Sequence, residues 1–393
     1  MRVMNVGRLW LTVAILLVAI NLRPAMAVLG PLLDLIEQAT GLDATGAGLL
    51  TTLPVFLMGV FALLGRFLRK ALGEVSGVTV GVTLIMLACA SRAYWGSSIG
   101  LLASAAVVGL GIALVQALLP GFIKGQFGAS TGRVMGFYAT AIMGGAAIAA
   151  ASAARFNELL GWQYTLAVWA WPALLALAGW KAATMALVPT DAPASQQAPM
   201  HFWRYRRAWS LMVFFGIGTG VYTLILAWLP PFYIELGQSR QLAGDLLAGL
   251  TLTEVIAGMI VAGVVGKYHD RRPLLLAALG CTLVGLAIII TAPVSLALGA
   301  IVLLGLGVGA LFPLSLILAM DHFENPEFSG DLAAFVQGGG YMIASLMPFL
   351  AGWVKREFTN LSLAWVAVFV TVFFITLLAF RFSPTSYRKA FSA

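Results

Sequence analysis

The stretch Leu9-Trp-Leu-Thr-Val-Ala-Ile-Leu-Leu-Val-Ala-Ile-Asn21-Leu-Arg23-Pro24-Ala-Met-Ala-Val-Leu-Gly30-Pro31-Leu-Leu-Asp-Leu35 decides how the chain is read. Its 27 residues hold two charges, Arg23 and Asp34, and a membrane-spanning helix needs about 20 mostly apolar residues. A helix apolar on every side belongs in a protein interior or a bilayer. The run continues through Arg23-Pro24 with no small-residue cleavage site in a suitable place, so it is expected to stay in the mature chain.

The rest of the chain repeats the pattern. Of 393 residues, 61% are apolar and 10% charged, and the mean hydropathy is +0.97; soluble domains hold about 45–50% and about 25%. Reading between polar breaks predicts twelve spans, at 9–35, 46–67, 76–94, 99–123, 134–156, 163–187, 208–233, 242–265, 273–292, 295–319, 331–353 and 362–383. The expected class is therefore an all-α integral membrane protein. Cys89 and Cys281 each sit inside an apolar run and offer no disulfide framework.

A net charge of +8 would suggest a nucleic-acid partner on a soluble protein. Here the cations sort by side instead. With the N-terminus inside, seventeen Lys and Arg fall on inner segments and five, Arg92, Arg155, Arg240, Lys355 and Arg356, on outer ones, with Arg23 left in the membrane. Cytoplasmic loops carry such an excess, which predicts both termini in the cytoplasm, the cell inner membrane as location, the lipid bilayer as partner and no nucleic acid.

One long break, 188–207, divides the chain into halves 1–187 and 208–393, each with six spans. Its second part, His201-Phe-Trp-Arg-Tyr-Arg-Arg207, reads as a basic aromatic strip on the inner membrane surface. The halves are weak copies in common order: Ala47-Gly48-Leu-Leu50 with Gly244-Asp-Leu-Leu247, Gly109-Leu-Gly-Ile-Ala-Leu114 with Gly305-Leu-Gly-Val-Gly-Ala310, and Met143-Gly-Gly-Ala146 with Gln337-Gly-Gly-Gly340. Repeats of this kind mark secondary transporters.

Two parallel six-span halves with a cytoplasmic central loop resemble the major facilitator superfamily. Its loop signature, Gly-x-x-x-Asp-Arg-x-Gly-Arg-Arg, appears in part as Gly266-Lys-Tyr-His-Asp270-Arg271-Arg272, while the earlier copy, Gly65-Arg-Phe-Leu-Arg69-Lys70, lacks the Asp. Asn21-Leu-Arg23-Pro24, Leu49-Leu-Thr-Thr-Leu-Pro54, Leu229-Pro-Pro-Phe-Tyr-Ile-Glu235, His269-Asp-Arg-Arg272 and Phe312-Pro313 through Asp321-His322 resemble the bacterial cyanate permease family, of which 2-nitroimidazole exporters are a near relation. The resemblance implies the major facilitator fold, with two pseudo-symmetric six-helix bundles, alternating access, a functional monomer and a small-anion substrate, cyanate, taken into the cell. An exporter of small nitroaromatic or drug-like compounds is the alternative, and a non-transporting sensor on the same fold a third.

Arg23 lies about 15 residues from the inner end of its run. An Arg so deep costs about 2.5–3.5 kcal/mol on insertion scales, so it needs a partner, a cavity or a ligand. Since span 1 lines the central cavity in the superfamily, Arg23 is read as the substrate anchor; a structural ion pair is the plainer alternative. Pro24 frees the carbonyl of Ile20 from its helical bond. Glu254 is the one acid near the middle of a span, expected to be either the counterion of Arg23 or a protonatable group coupling a proton to transport. In the mechanism this suggests, the anion displaces Glu254 from Arg23 and a proton balances the charge.

Asn21, Gln116, Tyr138, Tyr222, Thr223, Gln337 and Tyr341 are candidate substrate contacts on cavity-lining helices, with helix–helix hydrogen bonds an equal alternative for each. Arg69, Asp270, Arg271, Arg272 and Asp321, at inner helix ends, are assigned to gating. The three histidines have no metal-spaced partner, and the Gly-Leu-Gly runs lie inside spans, away from any strand–turn–helix context. No enzyme signature, metal or cofactor is expected.

Overall fold

In a computed structural model, which describes residues 6–185, 201–358, 360–387 and 390–391, every regular element is helical. Twelve helical stretches are long and apolar enough to cross a membrane: Gly7–Thr40, Ala44–Leu63, Glu74–Ser91, Ser98–Phe127, Arg133–Leu160, Trp162–Thr184, Arg206–Glu235, Arg240–Lys267, Arg272–Thr291, Ala297–Met320, Phe328–Phe358 and Ser362–Ala379. They are referred to as spans 1 to 12. Several outrun the apolar stretch that announces them, the fourth and seventh reaching 30 residues, because a helix continues past the hydrocarbon edge until a cap ends it. Linker residues 188–200, with Arg2, Arg388 and Lys389, lie outside the described residues.

Neighbours recur at an offset of six spans. Span 1 meets 5 as 7 meets 11, span 2 meets 4 as 8 meets 10, span 3 meets 4 as 9 meets 10, and span 3 meets 6 as 9 meets 12. Between the halves the pairing is crossed, span 2 against 11 and span 8 against 5. Glycines allow both crossings: a Cβ on Gly48 would lie 2.5 Å from the Pro348 carbonyl oxygen, and one on Gly244 2.5 Å from that of Ala150. These two glycines belong to the matched tetrapeptides of the repeat, so a sequence likeness and a backbone contact coincide. Lower in the same seam Thr52 donates to the Ser345 carbonyl at 2.7 Å, and a Cβ on Gly59 would lie 2.6 Å from the Gly338 carbonyl oxygen.

At the membrane face away from the linker, ion pairs tie one half to the other. Arg240 meets Asp34 at 2.5 Å, Arg356 meets Asp43 at 3.3 Å, and Lys355 bridges Glu235 at 2.7 Å and Glu37 at 3.9 Å. Single pairs this exposed contribute about 1 kcal/mol or less, but the three that cross, Arg240–Asp34, Arg356–Asp43 and Lys355–Glu37, would break together if the halves parted there. We expect Asp34→Arg to open this face and to slow transport, and Asp34→Arg with Arg240→Asp to restore it. Cysteine accessibility at the seam reports the difference; equal accessibility in single and double variants would remove the pair from any gating role.

At the linker face, the described ion pairs lie within a half. Arg271 meets Asp321 at 2.7 Å and Arg272 meets Asp270 at 2.6 Å, which holds the Asp270 carboxyl below its usual range. Arg69 meets Glu74 at 3.3 Å, so the acid missing from the first loop signature is supplied at the start of span 3. This pair rests on span 4 at Gly121, where a Cβ would lie 2.5 Å from an Arg69 nitrogen. His322 follows Asp321 just past the end of span 10. It is buried beside Tyr387 and Phe391, with ring centroids 4.3 and 5.7 Å away, and burial pushes its imidazole down to about 4. Phe202, at the linker's end, packs against the same Phe391.

Candidate substrate-binding site

Span 1 is not one helix. It stops at Ile20, passes Asn21–Arg23 through two 3-10-type turn bonds, Asn21 N–H to the Val18 carbonyl and Leu22 N–H to the Ala19 carbonyl, restarts as Pro24–Ala27, and reaches Thr40 through a short 3-10 turn at Gly30–Leu32. Proline has no N–H to give and clashes with the carbonyl four residues back, and here the clash ends the helix instead of kinking it. Gly145 on span 5 packs directly on the freed Ile20 carbonyl, leaving no room for a side chain. Broken helices at membrane depth persist only where protein or water satisfies the backbone.

The break presents Arg23, 5% exposed, to the interior. One guanidinium nitrogen lies 3.9 Å from the Met26 sulfur and 3.8 Å from that of Met58, and the group sits 5.6 Å from the centre of the Tyr222 ring. Glu254 on span 8 and the hydroxyls of Tyr138, Tyr222 and Tyr341 lie within its electrostatic reach. Gln337 donates to the Tyr341 hydroxyl at 3.4 Å. Two halves thus contribute: Arg23 and Tyr138 from one, Tyr222, Glu254, Gln337 and Tyr341 from the other.

The direct salt bridge that would make Glu254 the counterion of Arg23, one of its two alternatives, is not formed. The guanidinium stands between two methionine sulfurs and a tyrosine face, and neither Glu254 oxygen has a hydrogen-bond partner among the described residues. Glu254 is held on span 10, where a Cβ on Gly309 would lie 2.5 Å from its Cα. The same lack of a protein partner applies to Arg23 Nε, Gln116 Oε1, Tyr138 Oη, Tyr222 Oη and Thr219 Oγ1. Buried polar atoms are nearly always bonded, and an unbonded one costs about 1–3 kcal/mol. Of these, the Tyr138 and Tyr222 hydroxyls and the Glu254 carboxylate lie within reach of the Arg23 guanidinium, an arrangement able to take a polar guest.

Two candidates belong elsewhere. Asn21 donates to the carbonyls of Leu17 at 2.7 Å and Pro172 at 3.2 Å, tying span 1 to span 6. Thr223 donates to Gly220 and to Ala344, both at 2.9 Å, tying span 7 to span 11. Each points to a neighbouring helix because its own turn faces a helix rather than the centre. Gln116 is buried on span 4, but no described contact joins it to Arg23.

Arg92 corrects the charge count. Expected on an outer loop, it is 1% exposed, with Nε donating to Ser104 Oγ at 3.1 Å and a terminal nitrogen to the Ala25 carbonyl at 2.8 Å. It therefore braces the restarted segment that carries Arg23. Its position at a span end, beside polar residues, disguised it in the sequence. Among the described residues, the buried Arg, Lys, Asp and Glu side chains are Arg23, Arg92 and Glu254. Arg92 is committed to Ser104 and the Ala25 carbonyl, so the buried charges at the centre are Arg23 and Glu254.

A family model of the Major Facilitator Superfamily matches this chain over residues 11–344 and, in a second overlapping match, 233–391. The chain belongs to the major facilitator superfamily. As a superfamily member it is a membrane transporter and not an enzyme. It is 37% identical over 378 residues to the cyanate transport protein CynX of Escherichia coli strain K12, covering 95% of this chain and 97% of that one. It is 31% identical over 373 residues to the 2-nitroimidazole transporter of the same organism, covering 92% of each. The crystal structure of a D-xylose-proton symporter superposes with a TM-score of 0.76 at 17% identity, over 96% of this chain and 98% of the symporter, which shows the superfamily fold.

Proposed function

We propose that the chain carries a small monovalent anion, cyanate, into the cell across the inner membrane, working as a monomer with both termini in the cytoplasm. The two halves rock about the central site, and Arg23 anchors the substrate. The observation that carries the reading is a buried guanidinium, Arg23, without an ion-pair partner among the described residues, beside the Tyr138 and Tyr222 hydroxyls and the Glu254 carboxylate, which also lack protein partners. Similarity to a cyanate transport protein supports the species. Cyanate is linear and accepts hydrogen bonds at both ends, so a guanidinium on one half and tyrosine hydroxyls on the other suit it. Uptake of labelled cyanate into proteoliposomes is the test. Thermal stabilisation by cyanate, bicarbonate, nitrate and 2-nitroimidazole, compared side by side, ranks the ligands.

A second reading, export of 2-nitroimidazole-like compounds, is favoured by the aromatic lining. Tyr138, Tyr222 and Tyr341 surround the centre, and Phe215 lies 5.5 Å from Tyr341. Stabilisation by 2-nitroimidazole without any by cyanate would select it.

Glu254 is proposed to couple a proton to transport. Glu254→Gln is expected to abolish acceleration of uptake by an imposed pH gradient while leaving exchange of cyanate at equal pH. An unchanged response to the gradient would end the coupling role. For Arg92→Gln we expect apparent affinity to weaken by about tenfold, from loss of one buried charge-assisted bond of about 1.5 kcal/mol, with Ser104→Ala milder. A variant with wild-type affinity and only a lower thermal midpoint would make Arg92 a stabilising residue alone.

A further inference from the structure

Where the linker enters span 7, Arg204, Arg206, Arg207, Arg381, Ser210 and Ser386 line a recess of about 510 Å³, and none of the described lining residues is acidic. Arg207 is held by the fold: one terminal nitrogen donates to the Arg381 carbonyl at 2.9 Å, the other meets Ser386 Oγ, and the group lies 5.0 Å from the centre of the Phe382 ring. Its Nε is buried without a partner among the described residues. The first turn of the 30-residue helix Arg206–Glu235 opens here, and its N-cap, Tyr205, makes no side-chain cap. Free amides and the positive end of the helix dipole therefore add to the guanidiniums.

Four like charges around one recess are a cost unless an anion occupies it. Guanidinium forks and helix-end amides suit a tetrahedral phosphate with several acceptor oxygens. The recess lies between the start of span 7 and the end of span 12, at the level of the span ends. Trp203 and Trp209 beside it are 56% and 48% exposed, and Trp209 Nε1 donates to the Trp203 carbonyl at 2.9 Å. Exposed tryptophans at that depth belong to the membrane interface. We propose that this recess binds the phosphate headgroup of an anionic phospholipid in the leaflet on the linker face. It is separate from the central site and does not depend on what that site carries.

Free phosphate shares the chemistry, so the test separates the two. Native mass spectrometry of the full chain should show phosphatidylglycerol retained over phosphatidylcholine, with inorganic phosphate unable to displace it. The double variant Arg206→Gln/Arg381→Gln should lose about fivefold in retention for each cation removed. Both side chains are exposed, and Arg381 joins Arg207 through its carbonyl alone, so the latch survives. Should the double variant not fold, Arg206→Gln alone carries the same comparison at about fivefold. Equal retention of the two lipids, retention unchanged in the variants, or displacement by inorganic phosphate would each overturn the assignment.

Discussion

Cyanate uptake is expected to fall by about 100-fold or more when Arg23 is replaced by Gln, with the purified variant still monodisperse. Truncating one partner of a buried charge interaction costs about 2–5 kcal/mol, and among the described residues no second cation stands in the centre to replace it. Arg92, the other buried guanidinium, is committed to Ser104 and the Ala25 carbonyl. Arg23→Lys should be nearly as damaging. A guanidinium can lie against the two methionine sulfurs and the Tyr222 ring while its edge meets an anion; a more strongly hydrated ammonium has no such fork. The measurement is the initial rate of labelled cyanate uptake with ligand-induced thermal stabilisation alongside. Wild-type affinity in the lysine variant would reject the anchor.

The second large effect is expected from a glycine remote from the site. Gly48→Leu puts a side chain where even a Cβ would lie 2.5 Å from the Pro348 carbonyl oxygen. That neighbour is backbone and cannot rotate away. Overpacking costs about 1–3 kcal/mol, and here the whole cost falls on arrangements in which spans 2 and 11 touch at the face away from the linker. A shift of that size changes a two-state population by about 5–150-fold, so we expect transport to collapse while the protein folds. A cysteine at Ser345, buried behind Thr52 in the same seam, should react faster with maleimide in the Gly48→Leu background. Gly280→Leu, on a helix with nothing near that glycine, is the control. Normal transport with unchanged labelling would mean that the seam does not have to close at Gly48.

Arg23 shows how much of the site was legible. A charge in the middle of an apolar run is conspicuous in a chain with so few charges, and the cost of burying it makes a function the economical explanation. Glu254 was legible for the same reason. Their relation was not, because whether two groups on spans 1 and 8 form a salt bridge depends on offsets of an ångström or two between helices from different halves. Asn21 and Thr223 looked like site residues because polarity in a span is visible, while the side to which a helix turns it is not. Arg92 was misread in the opposite sense, since a cation at a span end has the same sequence signature whether it meets water or a neighbouring carbonyl. The ion pairs of Asp34, Asp43, Arg240 and Arg356 were visible as charges only; pairing them requires knowing which ends meet.

Hydropathy and the internal repeat are local properties of the chain, and they were enough to determine twelve helices, two halves and the two charges at mid-membrane. In a bilayer each span must satisfy its own backbone, so length and composition decide its existence before any contact is made. Tertiary structure decided everything that depends on distance between spans. It placed the break at Asn21–Arg23 against Gly145, the brace from Arg92, the crossed glycine seams, and the gathering of unpartnered polar atoms around one guanidinium. Lipid tails and apolar side chains attract a helix about equally, so hydrophobicity cannot say which neighbour it takes. That choice is made by close fit between small residues and a few directional bonds.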